Sequence, residues 1–340
     1  MHLFETFKMY PILVRIILLI LFPFSVATAQ DAKEMHETAK EFMKQGDYNN
    51  AILTLNKAIA INSTDESLTR DLATSYYFKK DYRKALNVID PLLDTDEPAP
   101  EVYLIAGKVY YSLKMMDEAE KVYRTGIRKF SRNGAMYNDF GEFLWNQKNE
   151  EAINEWEKGI EKDPAYPNNY YNAARYYSTT SNKIWGLLYG EIFLNMMPFS
   201  KKTPEIKELL LEAHKKIFTY ASLENNKENN RFETAYRQTM KKQSSLAGGN
   251  ITPESITMIR TRFILDWFSE TKRPSFMLFD FQKQLLQDGL FDAYNQWVFG
   301  SAQSLPAFQS WVNAHPDEYA AFISFQKSRI FTVNNSDYQK

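Results

Sequence analysis

The chain has 340 residues, 44% hydrophobic and 24% charged, with 41 Lys and Arg against 42 Asp and Glu. That composition suits a globular protein of two or three ordinary domains. A formal net charge of −1 gives neither nucleic acid nor an anionic membrane a bulk electrostatic hold. The lack of cysteine excludes disulfides, thiolate metal sites, cysteine nucleophiles and the anchor residue of a bacterial lipoprotein.

At the N-terminus, Lys8 and Arg15 precede an apolar run from Ile16 to Val26, and Ala27-Thr28-Ala29 offers a small-x-small cleavage site before Gln30. Positive, apolar and cleavable parts in that order predict a secretory signal peptide over 1–29. The apolar run is shorter than the roughly 20 residues a spanning helix needs, and Pro23 interrupts it. The expectation is an exported protein, periplasmic or associated with the cell surface or outer membrane, with no stable membrane insertion after cleavage.

Next comes an internal repeat. Ala51, Ala85 and Ala119 lie 34 residues apart, Ala152 follows after 33 and Gly186 after another 34. A second small residue precedes each of these, at Ala39, Ala73, Gly107, Gly141 and Ala174, with one residue deleted before Ala152. A third position holds Ala58, Gly126 and Gly159, but Leu92 and Phe193 depart from the rule. Small residues at fixed places mark close approaches between two antiparallel helices, where a larger side chain would force the pair apart. Phe42, Tyr76 and Tyr110 on the first helices, and Leu55, Ile89, Tyr123 and Trp156 on the second, fill the space between. Gly46-Asp47-Tyr48 and Lys80-Asp81-Tyr82 read as turns within pairs, and Pro164 and Pro198 as stops.

This pattern resembles the tetratricopeptide repeat family, most closely at Gly46-Asp47-Tyr48-Asn49-Asn50-Ala51-Ile52 followed by Ala58. The resemblance implies an all-α fold: an α-solenoid of about five helix pairs over 30–199, followed by a C-terminal aromatic-rich helical region over 200–340. Neighbouring units would supply one another's core, since no single pair can bury its own.

In the second half, Thr203-Pro204-Glu205 reads as a helix start with Thr203 as cap. Residues 224–230 read as a polar loop, Arg231–Gln243 as a helix, and 244–250 as a loop or hinge. Thr252-Pro253-Glu254 opens another helix, and stops are expected at Gly289 and near Gly300. Residues 263–331 hold 16 Phe, Tyr or Trp in 69 positions, which predicts an aromatic core in preference to an exposed docking surface. The segment from Phe276 to Gly300 resembles the tail of exported repeat proteins of Bacteroidota, to which no activity attaches.

Little points to catalysis. His36, His214 and His315 are far apart, with no metal-ligand spacing, no nucleophile elbow and no phosphate-binding glycine loop. Asp94-Thr95-Asp96-Glu97 lacks the glycine and distal glutamate of a calcium loop. No cofactor and no enzyme activity are expected.

The first helix of each unit lines the concave face of such a solenoid. Register assigns to it His36, Lys40 and Met43; Arg70, Thr74 and Tyr77; Ile105, Lys108 and Tyr111; Asn138, Glu142 and Trp145; and Tyr171 and Arg175. Cations outnumber the one acid, Glu142, and aromatic residues interleave, so the face suits a protein segment bearing carboxylates. The expected function is an exported protein-binding scaffold, in an envelope or secretion complex, with no nucleic-acid partner. Two alternatives stay open: a glycan- or nutrient-uptake accessory stacking sugars on Trp267 or Trp297, and an enzyme with a carboxylate pair in the C-terminal half.

Overall fold

The structure is a computed structural model that describes residues 30–217, 230–247, 251–329 and 331–334. The expected signal segment 1–29, most of the 224–230 loop and the 248–250 part of the expected hinge lie outside them. The chain divides into two compact units, Met1–Phe130 and Ser131–Lys340, so the expected 199/200 boundary falls inside the second. No strand occurs among the described residues.

In unit 1 the chain is helical through 30–45 (α1). Then come α2 (Tyr48–Ile61), α3 (Glu66–Phe78), α4 (Tyr82–Leu93), α5 (Pro100–Ser112) and α6 (Met116–Lys129). Consecutive helices pack in pairs, and α3 also packs on α5, as first helices of adjacent units should. Aspartates set several starts: Asp47, Asp65 and Asp81 accept from the amides of Asn50 (3.1 Å), Ser67 (2.9 Å) and Lys84 (3.4 Å), satisfying donors that a helix N-terminus leaves open.

The turns inside pairs repeat in detail. Gly46 (φ 77°), Lys80 (66°), Lys114 (66°) and, in unit 2, Lys148 (60°) are left-handed and stand 34 residues apart. Around each, the next amide reaches five residues back and the left-handed residue's own amide three back, as in Asp81 N to Tyr76 O and Lys80 N to Tyr77 O, both 2.9 Å. This double bond closes a helix on its own carbonyls.

Small residues sit where the helices cross. Ala39, Ala51, Ala58, Ala73, Ala85, Ala119 and Ala152 have no exposed surface. A Cβ on Gly107 would lie 2.4 Å from the Tyr123 ring, and one on Gly141 2.4 Å from Trp156 Nε1.

Unit 2 continues with α7 (Gly134–Asn146), α8 (Ala152–Lys162), α9 (Pro167–Thr179) and α10 (Lys183–Met196), again in pairs. Helix α11 (Thr203–Lys216) packs on α10 and on α9, as α9 packs on α7. It therefore takes the place of a first helix in a sixth unit. The expected start is corrected in one detail: Lys202 is the cap and Thr203 the first helical residue, its hydroxyl turned to donate to Met197 O at 2.9 Å.

The rest of unit 2 comprises α12 (Arg231–Lys241), a 3-10 turn at Ser244–Ala247, α13 (Pro253–Ser269) and α14 (Met277–Gln287). Helix α15 follows as Phe291–Asn295, a π-turn Gln296–Gly300 and Ser301–Gln303, then α16 (Leu305–Ala314) and α17 (Pro316–Ser328). Thr252 caps α13 in a reciprocal capping box with Ser255, and Gly289 (φ 71°) follows α14 as expected. Gly300 does not stop its helix, which runs on to Gln303. Its missing Cβ makes room for the Gln296 side chain, whose Oε1 would be 2.3 Å away.

The aromatic residues form a core. Phe232, Trp267, Phe276 and Phe279 surround one another with ring centroids 4.8–5.9 Å apart, and Trp185 joins them through Phe232 at 5.8 Å. Beside them lies a buried polar knot. Arg260 on α13 pairs with Glu191 on α10, which also accepts from Gln282 Nε2 (2.7 Å) and Tyr294 OH (2.8 Å).

Candidate functional site

The first-helix face of unit 1 carries a depression of about 360 Å³ between α1 and α3. Its lining gathers His36, Lys40 and Arg70, three of the residues assigned by register, with Lys33, Glu37, Asp65 and Ser67. His36 is buried, its Nε2 2.7 Å from Asp71 Oδ2. Arg70 lies 3.3 Å from Asp71 Oδ1 and 3.8 Å from Glu101 Oε2. Lys40 reaches Glu37 at 2.9 Å, an exposed pair three residues apart worth little against water.

The expected surplus of cations is therefore corrected. A tally along first-helix register leaves out Glu37, which partners Lys40, Asp71, which partners both His36 and Arg70, and Glu101, a longer contact of Arg70. Position also sorts the remaining assignments. Met43 packs half-buried against the core of α1–α3. Tyr77 leans on Phe78 and Tyr82, with ring centroids 5.3 and 5.8 Å away. Lys108 is half-buried on α5, and Tyr111 has Lys114 Nζ 5.5 Å from its ring.

Unit 2 has its own first-helix depression, of about 420 Å³, lined by Trp145 of α7, Arg175, Ser178 and Thr179 of α9, and Glu205, Glu208, Leu209 and Glu212 of α11, among others. Trp145 is 36% exposed, and its ring is braced edge-on by Tyr176 at 5.7 Å. Arg175 Nε contacts Glu205 Oε1 at 3.0 Å, and Tyr171 OH donates to Glu205 Oε2 at 2.6 Å. Burial and that neighbouring carboxylate push the Tyr171 hydroxyl up to about 12. Asn138 is buried, so it is no free contact. Its Oδ1 accepts from Asn172 Nδ2 at 2.9 Å, and the same nitrogen reaches Glu142 Oε1 at 3.1 Å.

Register missed Asn172 and Lys202. Asn172 stands 34 residues after Asn138, a signal obscured by the one-residue deletion in the fourth unit. Lys202 lies 4.1 Å from the Tyr171 ring centroid and donates to Asn168 Oδ1 at 3.0 Å, a place legible only once α11 is seen to extend the array.

Elsewhere, burial governs chemistry. His214 is enclosed against the Phe299 ring at 4.8 Å, and burial lowers its imidazole to about 3. Among the described residues no group of three or more His, Asp or Glu could hold a metal ion, and no helix is long and apolar enough to cross a membrane. Trp267 and Trp297 lie inside the core, so neither ring is open to a sugar.

Residues 44–125 match the family model of anaphase-promoting complex, cyclosome, subunit 3. No curated protein matches the chain in sequence. Among solved structures, the chain is similar to YrrB, described as a TPR protein with an unusual peptide-binding site, at 19% identity and a TM-score of 0.36, covering 54% of this chain and 92% of that one. The helix pairs, their left-handed turns and their first-helix contacts make the fold an all-α solenoid of tetratricopeptide type, followed by an aromatic-rich helical region.

Proposed function

We propose that the chain is a protein-binding scaffold whose first-helix faces hold a segment of a partner protein. The observation that carries this reading is the unit 1 depression, which collects His36, Lys40 and Arg70 from two successive repeats at equivalent or neighbouring positions. Exposed, loosely paired Lys40 can exchange Glu37 for a partner carboxylate, while Arg70 is already oriented by Asp71. In unit 2, exposed Trp145 offers apolar area at small entropic cost beside the Arg175–Glu205 pair. The partner is a peptide segment rather than nucleic acid, given a net charge of −1.

The scaffold reading is favoured over an enzyme because the main cations of the two depressions are already held by carboxylates, His36 and Arg70 by Asp71 and Arg175 by Glu205, and the Asp65 carboxylate beside the Ser67 hydroxyl serves as the cap of α3. The charged, apolar and small-residue order of 1–29 supports export. We place the protein in the periplasm or at the cell surface, in an envelope or secretion complex.

The test is cross-linking of the tagged full chain in the cell envelope, followed by mass spectrometry. Partner cross-links should map to α1 and α3, and the Lys40→Glu, Arg70→Glu double variant should lose them while its melting temperature stays put. Undiminished cross-linking in that variant would move the interface off this face.

A further inference from the structure

We infer that the outward face of α13 is a second docking surface, shaped for an amphipathic helix of a partner protein whose apolar stripe is flanked by carboxylates. One side of α13 is committed to the core through Ile256, Ile259, Phe263, Ile264 and Trp267. The opposite side carries Met258, Leu265 and Phe268, which are 50%, 58% and 36% exposed. Spacings of seven and three residues put these on one stripe, about three turns long. A helix apolar on both sides is expected to be buried on both, yet here only one side is covered by described residues. Met258 adds a flexible, polarizable side chain of the kind that fits varied apolar partners. A contiguous stripe differs from scattered surface leucines, which need no explanation.

Charge selects the partner. Arg262 stands exposed between Met258 and Leu265, and Lys283 of α14 holds its Nζ 4.3 Å from the Phe268 ring centroid. Neither has a carboxylate partner among the described residues, unlike the cations of the first-helix faces. A helix seated on the stripe with Glu or Asp on its flanks would satisfy both. Two other occupants fit less well. An anionic membrane would set its headgroups against Glu254, exposed one turn before Met258 on the same face, whereas a peptide helix can place its carboxylates opposite Arg262 and Lys283 and a neutral or basic residue opposite Glu254. A second copy of the chain, paired antiparallel about the middle of α13, would bring its Arg262 beside this one.

The probes are two fluorescein-labelled helical peptides of ~18 residues, long enough to be helical when bound, with one Leu stripe and either Glu or Lys flanks. Fluorescence anisotropy with the full chain should show the Glu-flanked probe binding roughly tenfold more tightly, with affinity falling as salt rises. Leu265→Glu should abolish that binding, Arg262→Glu should reverse the preference, and Lys40→Glu with Arg70→Glu should leave it unchanged, which separates this surface from the first-helix faces. Arg262→Glu carries the test if Leu265→Glu does not fold. Equal affinity for both probes, or undiminished binding of the Glu-flanked probe in Leu265→Glu or Arg262→Glu, overturns the proposal. So does anionic-vesicle binding, or a dimer in sedimentation, that Leu265→Glu removes, because either assigns the face to a different occupant.

Discussion

Where the second helix of a pair carries Leu55 or Ile89, the first carries Ala39 or Ala73; where it carries Tyr123 or Trp156, the first carries Gly107 or Gly141. Volume is conserved across the crossing rather than residue type. Gly141→Ala gains about 1 kcal/mol in helix propensity but drives a Cβ into the Trp156 ring at 2.4 Å, and overpacking of that kind costs about 1–3 kcal/mol. Its melting temperature should fall, and adding Trp156→Leu should restore it by more than the single effects sum to. Lys148 occupies at φ 60° the place Gly46 holds in the first unit. Lys148→Gly should raise stability by about 0.5–1 kcal/mol in denaturant titration, since left-handed backbone disfavours a Cβ. Lys207 is a lysine buried on α11. Its Nζ donates to Ser301 Oγ at 3.2 Å and lies 3.8 Å from the Trp297 ring centroid, and burial lowers its ammonium to about 7. The unfolded chain binds that proton up to its ordinary range near 10.5, so stability rises with pH between about 7 and 10.5 and is flat in this respect below 7. Lys207→Met should flatten the rise in melting temperature over that window.

At the scale of elements, the helix pairs were legible because two helices crossing at short distance need small residues, and those recur visibly at 39, 51 and 58 and their successors. The caps were partly legible. The helix start expected at Thr252-Pro253-Glu254 is there, with Thr252 as its cap, whereas Thr203 lost the expected role to Lys202, its hydroxyl donating to Met197 O. Asp65 marks the start of α3, where burial opposes its charge but bonds from the Ser67 hydroxyl and amide outweigh that and hold its carboxyl below the usual range. Asp65→Ala should cost about 1 kcal/mol, seen as a lower midpoint in urea. With a depressed carboxyl, that contribution is present above the ordinary aspartate range and is lost as pH falls through the folded value. Helix α11 escaped the repeat because the residue 34 positions after Ala174 is the exposed Glu208, while the residues it packs against Gly190 of α10 are Ile206 and Leu210. The spacing of 34 is lost at that helix, though α11 packs as a first helix all the same.

Across the whole molecule, contacts distant in sequence decide what composition could not. Glu191 is joined to Arg260, Gln282 and Tyr294, which lie 69 to 103 residues away, and this knot fastens α10 to α13, α14 and α15. Glu191→Ala leaves the Arg260 guanidinium buried without its carboxylate and should cost about 3–5 kcal/mol, a fall measurable by calorimetry. The binding faces follow the same logic. Register placed His36, Lys40, Arg70, Trp145 and Arg175 on a single concave face; the structure gathers them in two separate depressions, where Asp71, Glu101 and Glu205 come to His36, Arg70 and Arg175 from neighbouring positions and helices. The amino-acid order alone determined the helical class, the length of the repeat and its crossing residues, because these depend on spacing within about one period. Only the tertiary structure decided which charges neutralise one another, which aromatic rings are enclosed and which side of α13 the described residues leave uncovered, because each is a property of surfaces brought together from far along the chain.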